Sequence, residues 1–522
     1  MSSIFARTAS GLTRDISATD ALLFTVCAMA PATSYLYGIW SAAFYPGVDN
    51  TVAVLIAIAI TIIIGVFYAL FASAMPRTGG DYVWASRILH PAIGFSLVFF
   101  VVFILIAWTG TGNVFTITYS IGPLLTYYGF TGAASFLSSN TGMLIVIIII
   151  LSIWTSITAA GTKSFVKAIW ACMVIQTIGA LVYISTLLSL GHDGFVANFN
   201  ALSGMNYNNI LGAATTAGYP TGFLWSGTAL GVVYMLLSFT GFNLAVYIAG
   251  EIKAVRRSSM IAIVGGTLLF GFWLYVIYAV TYSVMGAQFV NDMSYLSING
   301  NPAYVPTYGA STPAFYNLLF IYAARGNPWL VGIVNLGEWV MIVCNLTYVF
   351  TCVRLVFAWS FDRILPKSFS ALDRRFNAPY VALAVVAIAC FISSILWLYT
   401  PFMSDFAYIV PGWFTEIGIV AIAGMIFSLR RKDIFDKSPP IVTKRILRVP
   451  VIAWLGFVSL ILCIWIVYAG LTPAIAGTIN PSYAMLTVSV FIIGLVVYGI
   501  SAIYRSRSGL PLSLSFREVP PE

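Results

Sequence analysis

Side chains that commonly carry out bond-making chemistry are few in this sequence and lie far apart. The two histidines, His90 and His192, fall in predicted loops on opposite sides of the apolar segments, and none of the six cysteines belongs to a CxxC pair. A zinc site needs three or four His, Cys or carboxylate ligands together, and a nucleophilic serine or cysteine needs a base beside it. The sequence therefore argues against a metal centre, a cofactor and an enzyme.

The residues that do stand out interrupt apolar runs with small and hydroxyl-bearing side chains. The run Ser238-Phe239-Thr240-Gly241-Phe242-Asn243 lies in the middle of one apolar segment. A helix broken inside lipid exposes backbone N–H and C=O groups that need partners, and in transporters such breaks hold small polar substrates. Close packing of Gly241 between helices is the alternative interpretation.

A second interruption lies near the N-terminus, in the run Ala30-Pro31-Ala32-Thr33-Ser34. Proline lacks an N–H group and clashes with the preceding helical turn, which frees carbonyl groups one turn back. The small neighbours permit close approach of another group. An ordinary proline kink is the alternative here.

Composition identifies the chain as a polytopic membrane protein. Of its 522 residues, 60% are hydrophobic and only 8% are charged, whereas soluble domains have about 25% charged residues. The net charge of +9 comes from 25 Lys and Arg, and all of them except Arg325 fall on one side of the predicted spans. The positive-inside rule then places both termini in the cytoplasm. The basic face is expected to contact anionic lipid headgroups, not nucleic acid.

Hydropathy predicts an all-α protein with twelve membrane spans of about 20 residues each. In order, spans 1 to 12 are residues 17–45, 51–74, 92–119, 142–160, 164–189, 226–250, 259–285, 329–357, 379–399, 407–429, 449–470 and 483–504. The chain then divides into a cytoplasmic tail, a transport core of spans 1 to 10, spans 11 and 12 with the preceding basic loop, and a polar C-terminal tail predicted to be disordered. Their bounds are 1–16, 17–429, 430–504 and 505–522. Long outer loops are predicted at 190–224 and 286–327, the second with a short helix around 313–324.

The interrupted segments are spans 1 and 6, which are five spans apart. An odd number of spans per repeat inserts the second copy from the opposite side of the membrane. The pattern therefore predicts a 5+5 inverted repeat with discontinuous helices 1 and 6, plus two extra C-terminal helices. Matching interruptions in two halves indicate a binding site near the membrane midplane.

Three motifs resemble those of the amino acid–polyamine–organocation (APC) permeases, in family order over about residues 15–430. The first lies in the loop at 75–91 and the start of span 3: Pro76, Gly79, Gly80, Tyr82, Arg87 and Gly94-Phe95. The second is span 6: Ser238-Phe239-Thr240-Gly241-Phe242, then Ala249-Gly250-Glu251-Ile252-Lys253. The third follows span 8: Arg354, Asp362-Arg363-Ile364-Leu365-Pro366 and Asn377-Ala378-Pro379.

The resemblance implies a fold that alternates between outward-open and inward-open states and a substrate with an α-amino acid core. Free N–H groups and the positive dipole end at the second half of span 1 suit a carboxylate, and free carbonyls in span 6 suit an ammonium. The carboxylate side is then Ala30, Pro31, Ala32, Thr33 and Ser34. The ammonium side is Ser238, Phe239, Thr240 and Gly241, with Phe239 or Phe242 as an aromatic lid. Trp108 and Asn113 of span 3 are further candidates for substrate binding.

Two departures from the family pattern bear on specificity and coupling. Many members have glutamate where this chain has Asn243, so neutral amino acids are predicted in preference to cationic amino acids or polyamines. Some proton-coupled members carry a lysine in helix 5, whereas this chain offers Gln176 there. Coupling to a proton or to sodium is therefore left open.

Polar residues within the other spans are candidates for coupling or gating. Asn345 and Thr347 lie where related folds place sodium ligands, or they bond across helices. Glu338 and Glu416 could each carry a proton or face a solvated outer vestibule. Glu251 is expected to pair with nearby basic loops and to latch an inner gate.

The sequence thus predicts a secondary active transporter of neutral amino acids, including apolar ones, in the cytoplasmic membrane, with ion-coupled uptake by alternating access. An amino acid exchanger and a transporter-like receptor or sensor are the alternatives. The partners expected are the amino acid and membrane lipid. The oligomeric state is not predicted.

Overall fold

The fold is built almost entirely from apolar helices. The computed structural model describes residues 11–305, 308, 316–340, 343–400, 410–472, 481–509 and 512–518. Within these described ranges, eleven helices are long and apolar enough to cross a membrane, and a shorter apolar helix covers Asn345–Phe361 in the region of span 8. A two-stranded antiparallel hairpin, Arg445–Ile446 with Val449–Pro450, lies before span 11. The prediction of an all-α polytopic membrane protein is confirmed.

The helices of spans 1 to 6 follow the predicted order. Their bounds are Ala18–Ala28 and Pro31–Phe44 (span 1), Asn50–Ala74 (span 2), Pro91–Thr116, Ile117–Ile121 and Gly122–Tyr127 (span 3), Asn140–Ala159 (span 4), Thr162–Leu202 (span 5), and Trp225–Met235, Leu236–Phe239 and Leu244–Glu251 (span 6).

The helices of spans 7 to 12 complete the bundle. Their bounds are Val255–Met260, Ile261–Gly265, Gly266–Thr281, Tyr282–Gly286 and Ala287–Ile298 (span 7), Pro328–Trp339 and Val343–Phe361 (span 8), Tyr380–Tyr399 (span 9), Val410–Arg430 (span 10), Val451–Leu471 (span 11) and Pro481–Arg507 (span 12). Short helices outside the spans cover Asp81–Ile88, Thr131–Leu137, Tyr207–Thr216, Tyr316–Ala323, Lys367–Ser370, Lys432–Phe435, Pro440–Thr443 and Leu512–Leu514.

Several spans begin at residues whose side chains satisfy the free N–H groups of the first turn. Ser17 and Asp20 form a reciprocal capping box at span 1, and Asp49 accepts from the N–H of Thr51 at span 2. Asn327 caps span 8 just before Pro328. Such caps fix where a helix starts, and proline suits the first helical position because it has no N–H to lose.

Spans 1 and 6 lie at the centre of the bundle. In their most apolar windows 82% and 89% of residues are buried, against 22% for span 4 and 11% for span 12. The two interrupted spans are therefore enclosed by the others, which shields their exposed backbone groups from lipid.

The two predicted outer loops contain much more helix than expected. Span 5 continues to Leu202 past a turn at Gly191, and span 7 continues to Ile298. The aromatic residues of these segments pack together: the rings of Tyr207 and Phe289 stack at 4.2 Å, and Phe199 contacts Phe289 at 5.0 Å. The predicted short helix around 313–324 is observed as Tyr316–Ala323.

The prediction of a disordered C-terminal tail is wrong for residues 512–518. Leu512 and Phe516 are buried against the bundle. The Phe516 ring lies 4.8 Å from the guanidinium carbon of Arg87 in the loop between spans 2 and 3. Two apolar side chains four residues apart give this polar tail enough apolar surface to dock.

Candidate substrate-binding site

The break in span 1 consists of Met29 and Ala30. Ala30 has a left-handed backbone (φ 53°), and Pro31 starts the second helix. The hydroxyl of Thr33 donates to the carbonyl of Ala30 at 3.0 Å, and that of Ser34 donates to the carbonyl of Met29 at 3.2 Å. The break's carbonyls are thus satisfied from within span 1, while the first N–H groups of the second helix have no acceptor inside that helix.

The break in span 6 is centred on Gly241. Thr240 is extended (φ −60°, ψ 138°) and Gly241 has φ 97°, with tight 3₁₀ turns on both sides. Positive φ of this size favours glycine over any residue with a Cβ. The interruption predicted from the sequence is therefore present in the backbone.

The two breaks lie directly against each other. A Cβ added at Gly241 would lie 2.5 Å from the carbonyl oxygen of Ala28, the last helical residue before the break in span 1. The Tyr348 hydroxyl of span 8 donates to the same carbonyl at 3.0 Å, and the Tyr278 hydroxyl of span 7 donates to the carbonyl of Ser34 at 2.7 Å. Both interpretations of Gly241, backbone break and close packing, hold at once.

A small cavity of about 30 Å³ lies where the breaks meet, between spans 1, 3, 6 and 8. Five predicted residues line it: Ala30, Thr33, Trp108, Thr240 and Asn345. Seven further residues line it without having been predicted: Met29, Tyr37, Thr111, Gly112, Phe115, Leu237 and Tyr348. Trp108, Thr111, Gly112 and Phe115 follow the i, i+3, i+4, i+7 spacing of one helical face, so the spacing from Trp108 could have found three of them.

The other predicted binding residues do not line the cavity. These are Pro31, Ser34, Asn113, Ser238, Phe239, Gly241, Phe242 and Asn243; the side chain of Ala32 lies outside the described part of the chain. Asn113 is one layer back, where its side-chain oxygen accepts from Asn345 at 2.9 Å. Asn243 is fully buried and does not line the cavity. The charge of the substrate therefore has to be inferred from the residues that line the cavity and not from Asn243.

Aromatic residues cover the cavity, but not the two that were predicted. Phe239 packs on Phe270 at 5.3 Å, and Phe242 packs on Tyr68 at 5.8 Å. The rings of Tyr37 and Phe115 line the cavity instead. They contact Trp40, Tyr119 and Tyr234 farther along spans 1, 3 and 6, at centroid distances of 5.2 to 6.2 Å.

The lining is uncharged and mostly apolar, with a few polar groups. It contains the hydroxyls of Thr33, Tyr37, Thr111, Thr240 and Tyr348 and the amide of Asn345. No Asp, Glu, Lys or Arg occurs among its described residues. The indole N–H of Trp108 has no hydrogen-bond acceptor among the residues that the structure describes, so it is a donor at the cavity wall.

The remaining coupling candidates of spans 5 and 8 lie outside the cavity. Gln176 lies beside the hydroxyl of Tyr35, which accepts from the Trp273 indole at 2.9 Å. Glu338 is only 8% exposed, so it does not face a solvated vestibule in this conformation. Thr347 is fully buried, and its carbonyl accepts from Thr351 at 2.8 Å.

Glu416 is also enclosed, which rules out a solvated vestibule for it in this conformation. It is 0% exposed, and its carboxyl group lies within hydrogen-bonding distance of the Asp81 carboxyl. Burial raises the pKa of Asp81 above its usual range, and hydrogen bonds from Tyr247, Glu416 and Tyr68 oppose this shift.

Glu251 pairs with an arginine of span 8 and not with a basic loop. Its carboxylate accepts from Nε and Nη2 of Arg354 at 2.7 and 3.1 Å and also from the hydroxyl of Thr162. The Arg354 guanidinium lies 3.6 Å over the Phe350 ring, which stacks on Phe165 at 3.8 Å. The sequence placed Glu251 at the inner end of span 6 but gave no sign that its partner is fully buried.

A second buried ion pair joins two of the motif-bearing loops. Nη2 of Arg87 lies 2.8 Å from the Asp362 carboxylate, which also accepts from the Tyr82 hydroxyl at 2.6 Å. Burial raises the pKa of Asp362, and the Arg87 charge opposes that shift. The inner ends of spans 2, 3 and 8 are thereby tied together.

Comparison with known proteins extends the similarity over most of the chain. The sequence profile of a family described as "Amino acid permease" matches residues 17–498. The glutamate/serine transporter AimA of Bacillus subtilis (strain 168) is 22% identical over 447 residues, which cover 82% of this chain and 72% of that protein.

Proposed function

The chain belongs to the amino acid permease family, and on that premise we propose that it is a secondary active transporter of neutral amino acids. The observation that carries the proposal is the meeting of two broken helices at one cavity, lined from both breaks by Ala30, Thr33, Leu237 and Thr240. Broken helices near the midplane are where transporters bind small polar substrates.

The backbone supports recognition of the amino acid core. The N-terminus of the helix Pro31–Phe44 offers N–H groups and a positive dipole end for a carboxylate. The extended turn at Thr240 and Gly241 interrupts the helical ladder of span 6, so carbonyl groups there suit an ammonium.

The lining favours a small, neutral and polar side chain. A charged side chain in this cavity would have no described residue of opposite charge beside it, and burying an unpaired charge is costly. The hydroxyls of Thr33, Thr111 and Thr240 each donate to a backbone carbonyl. Their oxygens can therefore accept a hydrogen bond from a hydroxyl group of the substrate. Of the two substrates in the name of AimA, we therefore propose that serine is the better fit, with glutamate the less favoured.

The architecture proposed is twelve spans with a 5+5 inverted repeat, two additional helices and both termini in the cytoplasm. It is supported by the breaks in spans 1 and 6 and by the basic residues of the proposed inner loops. Alternating access would require the pairs Glu251–Arg354 and Arg87–Asp362 to separate when the inner end opens. Proton coupling through Glu338 or Glu416, and sodium binding near Asn345 and Thr347, are the coupling mechanisms to be distinguished.

Flux into proteoliposomes tests the proposal. Labelled serine, alanine, leucine, glutamate and arginine are offered with an inward proton gradient, with an inward sodium gradient, or in counterflow against unlabelled internal amino acid. We expect serine and alanine to exchange and one gradient to drive accumulation. Counterflow without gradient-driven accumulation indicates an exchanger, and arginine or glutamate as the preferred substrate contradicts the proposed specificity.

A matched pair of variants locates the site. Thr111 and Thr61 are both buried, and each donates its hydroxyl to the carbonyl four residues earlier, at 3.2 and 2.8 Å. Only Thr111 lines the cavity. Thr111→Val is expected to raise the KM for serine about tenfold, the effect of losing about 1.4 kcal/mol of binding, while Thr61→Val leaves it unchanged.

A further inference from the structure

The carboxyl groups of Asp81 and Glu416 form a pair that is separate from the cavity. Asp81 is the first residue of the helix Asp81–Ile88 in the inner loop, and Glu416 lies in span 10; both are 0% exposed. Their carboxyl groups lie within hydrogen-bonding distance of each other. Two carboxylates this close cannot both stay ionised away from water, so the contact requires a proton.

Among the described residues, the groups that act on the pair are uncharged hydroxyls and the two carboxyls themselves. The Tyr247 hydroxyl donates to Oδ2 of Asp81 at 2.7 Å, and the Tyr68 hydroxyl reaches the same oxygen at 3.3 Å. Cys463 of span 11 is the other titratable group that faces Glu416. Oδ1 of Asp81 and both oxygens of Glu416 have no further hydrogen-bond donor among the described residues. The pair therefore binds at least one proton, and it titrates as a unit.

Asp81 is attached to the part of the protein that closes the inner end. The N–H of Gly79 donates to the carbonyl of Tyr247 at 3.1 Å, and a Cβ at Gly80 would lie 2.3 Å from the Val246 side chain. The loop and the inner half of span 6 are thus in direct backbone contact, and Tyr247 bonds Asp81 as well. A movement of span 6 relative to span 10 would pull Asp81 away from Glu416.

The pair is also connected to the cavity wall. Trp413 precedes Glu416 by one helical turn, and its ring stacks on Trp108 at 5.6 Å; Trp108 lines the cavity. Along span 6, Asn243 lies between the cavity residue Thr240 and Tyr247. Its fully buried amide has no hydrogen-bond partner in the described part of the chain. The stacked rings of Trp108 and Trp413 therefore lie between the cavity and the turn of span 10 that carries Glu416.

We propose that Asp81 and Glu416 together form the coupling-proton site of the transporter. This inference rests on the proposed transport function. With the inner end closed, one proton bridges the two carboxyl groups. When the inner end opens, the loop separates from span 10, water reaches both groups and the proton passes to water on the cytoplasmic side. The next proton enters from the outer solution through the cavity, so each cycle carries one proton inward with one amino acid.

Infrared spectroscopy of the full-length protein in lipid nanodiscs tests proton binding without any substrate. At neutral pH we expect the protonated-carboxyl absorption of wild type to contain a component that both Glu416→Gln and Asp81→Asn lose. The control is Asp292→Asn, which removes a different buried carboxyl group, in the helix Ala287–Ile298, and should retain that component. Spectra in which neither pair variant loses a band overturn the proposal.

Serine flux into proteoliposomes tests coupling. A gradient of one pH unit can drive about tenfold accumulation per proton carried. Glu416→Gln and Asp81→Asn should retain counterflow, which needs no net proton movement, but their accumulation ratio should fall to one. Asp292→Asn should accumulate serine like wild type. Tyr247→Phe leaves both carboxyl groups in place and removes a donor to Asp81, so the pair should hold its proton to higher pH and the pH profile of accumulation should shift upward.

The outcomes separate this inference from the proposed function. Wild-type accumulation by Glu416→Gln, or loss of accumulation in Glu338→Gln alone, overturns the proton site and leaves the transport function standing. A wild type that exchanges no amino acid overturns the transport function, and with it the coupling role, while the infrared band still decides whether the pair holds a proton.

Discussion

Gly241 shows how one residue can set the geometry of a binding site. Its φ of 97° excludes most residues with a Cβ, and its Cα hydrogens face the Ala28 carbonyl so closely that an added carbon would lie 2.5 Å away. The turn in span 6 and its contact with span 1 therefore depend on the same missing side chain. The cavity exists because both conditions are met at once.

Gly241→Ala is expected to destabilise the fold and to reduce substrate binding together. A residue held in such a conformation costs about 1–3 kcal/mol, and the clash with Ala28 adds to that. Thermal unfolding in detergent and serine counterflow measure the two effects. Gly499→Ala in span 12 is the control, because no atom lies within 4 Å of an added Cβ there; equal behaviour of the two variants would contradict the account.

For individual residues, the sequence predicted where the helices break more accurately than which side chains line the cavity. Gly241 and Pro31 are unusual within apolar runs, so they are visible without a structure. Phe115 and Leu237 cannot be recognised as lining residues from the sequence. In a membrane span, side chains that face lipid, a cavity or another helix are all apolar. For the same reason Phe239 and Phe242 were assigned to a lid, although both pack against other helices.

The helices are joined at their inner ends by buried charges, and the pair Glu251–Arg354 connects spans 6 and 8. Side chains of both residues are at most 1% exposed, and Thr162 at the start of span 5 bonds the same carboxylate. The sequence predicted a latch at Glu251, but the partner lies 103 residues later in the chain, and only the packing of three spans brings the two together.

The helical extensions of spans 5 and 7 were missed because their composition is as polar as that of a loop.

Arg354→Met is expected to cost about 3–5 kcal/mol, because it leaves the Glu251 charge buried without a partner. The double variant Glu251→Gln/Arg354→Met removes both charges and should recover most of that loss. Thermal unfolding of the two single variants and the double variant gives the coupling energy. Purely additive effects would show that the pair does not act as a unit.

Over the whole molecule, the inner loops and the C-terminal tail form a continuous layer beneath the bundle. Arg87 is in contact with Asp362 of the loop after span 8 and with Phe516 of the tail, while Tyr498 of span 12 also contacts the Phe516 ring, at a centroid distance of 6.4 Å. The order of the spans followed from hydropathy alone. The docking of the tail did not, because its apolar residues number too few to form a recognisable pattern.

Phe516→Ala is expected to lower stability by about 2 kcal/mol, the contribution of one buried aromatic side chain. Leu514→Ala in the same tail is the control, since Leu514 is 38% exposed and its removal should have little effect. The midpoint of thermal unfolding measures both. If the two variants unfold at the same temperature, the tail is not held by Phe516.

The central claim is that a neutral amino acid binds in the cavity where the breaks of spans 1 and 6 meet. The most direct test is protection of a cysteine at Thr111 from a membrane-permeant maleimide, in a protein whose native cysteines are replaced. We expect serine to slow modification of Thr111→Cys in a saturable way, whereas arginine, which the uncharged lining disfavours, should not slow it. Serine that is transported without protecting Thr111→Cys would place the substrate elsewhere and contradict the account.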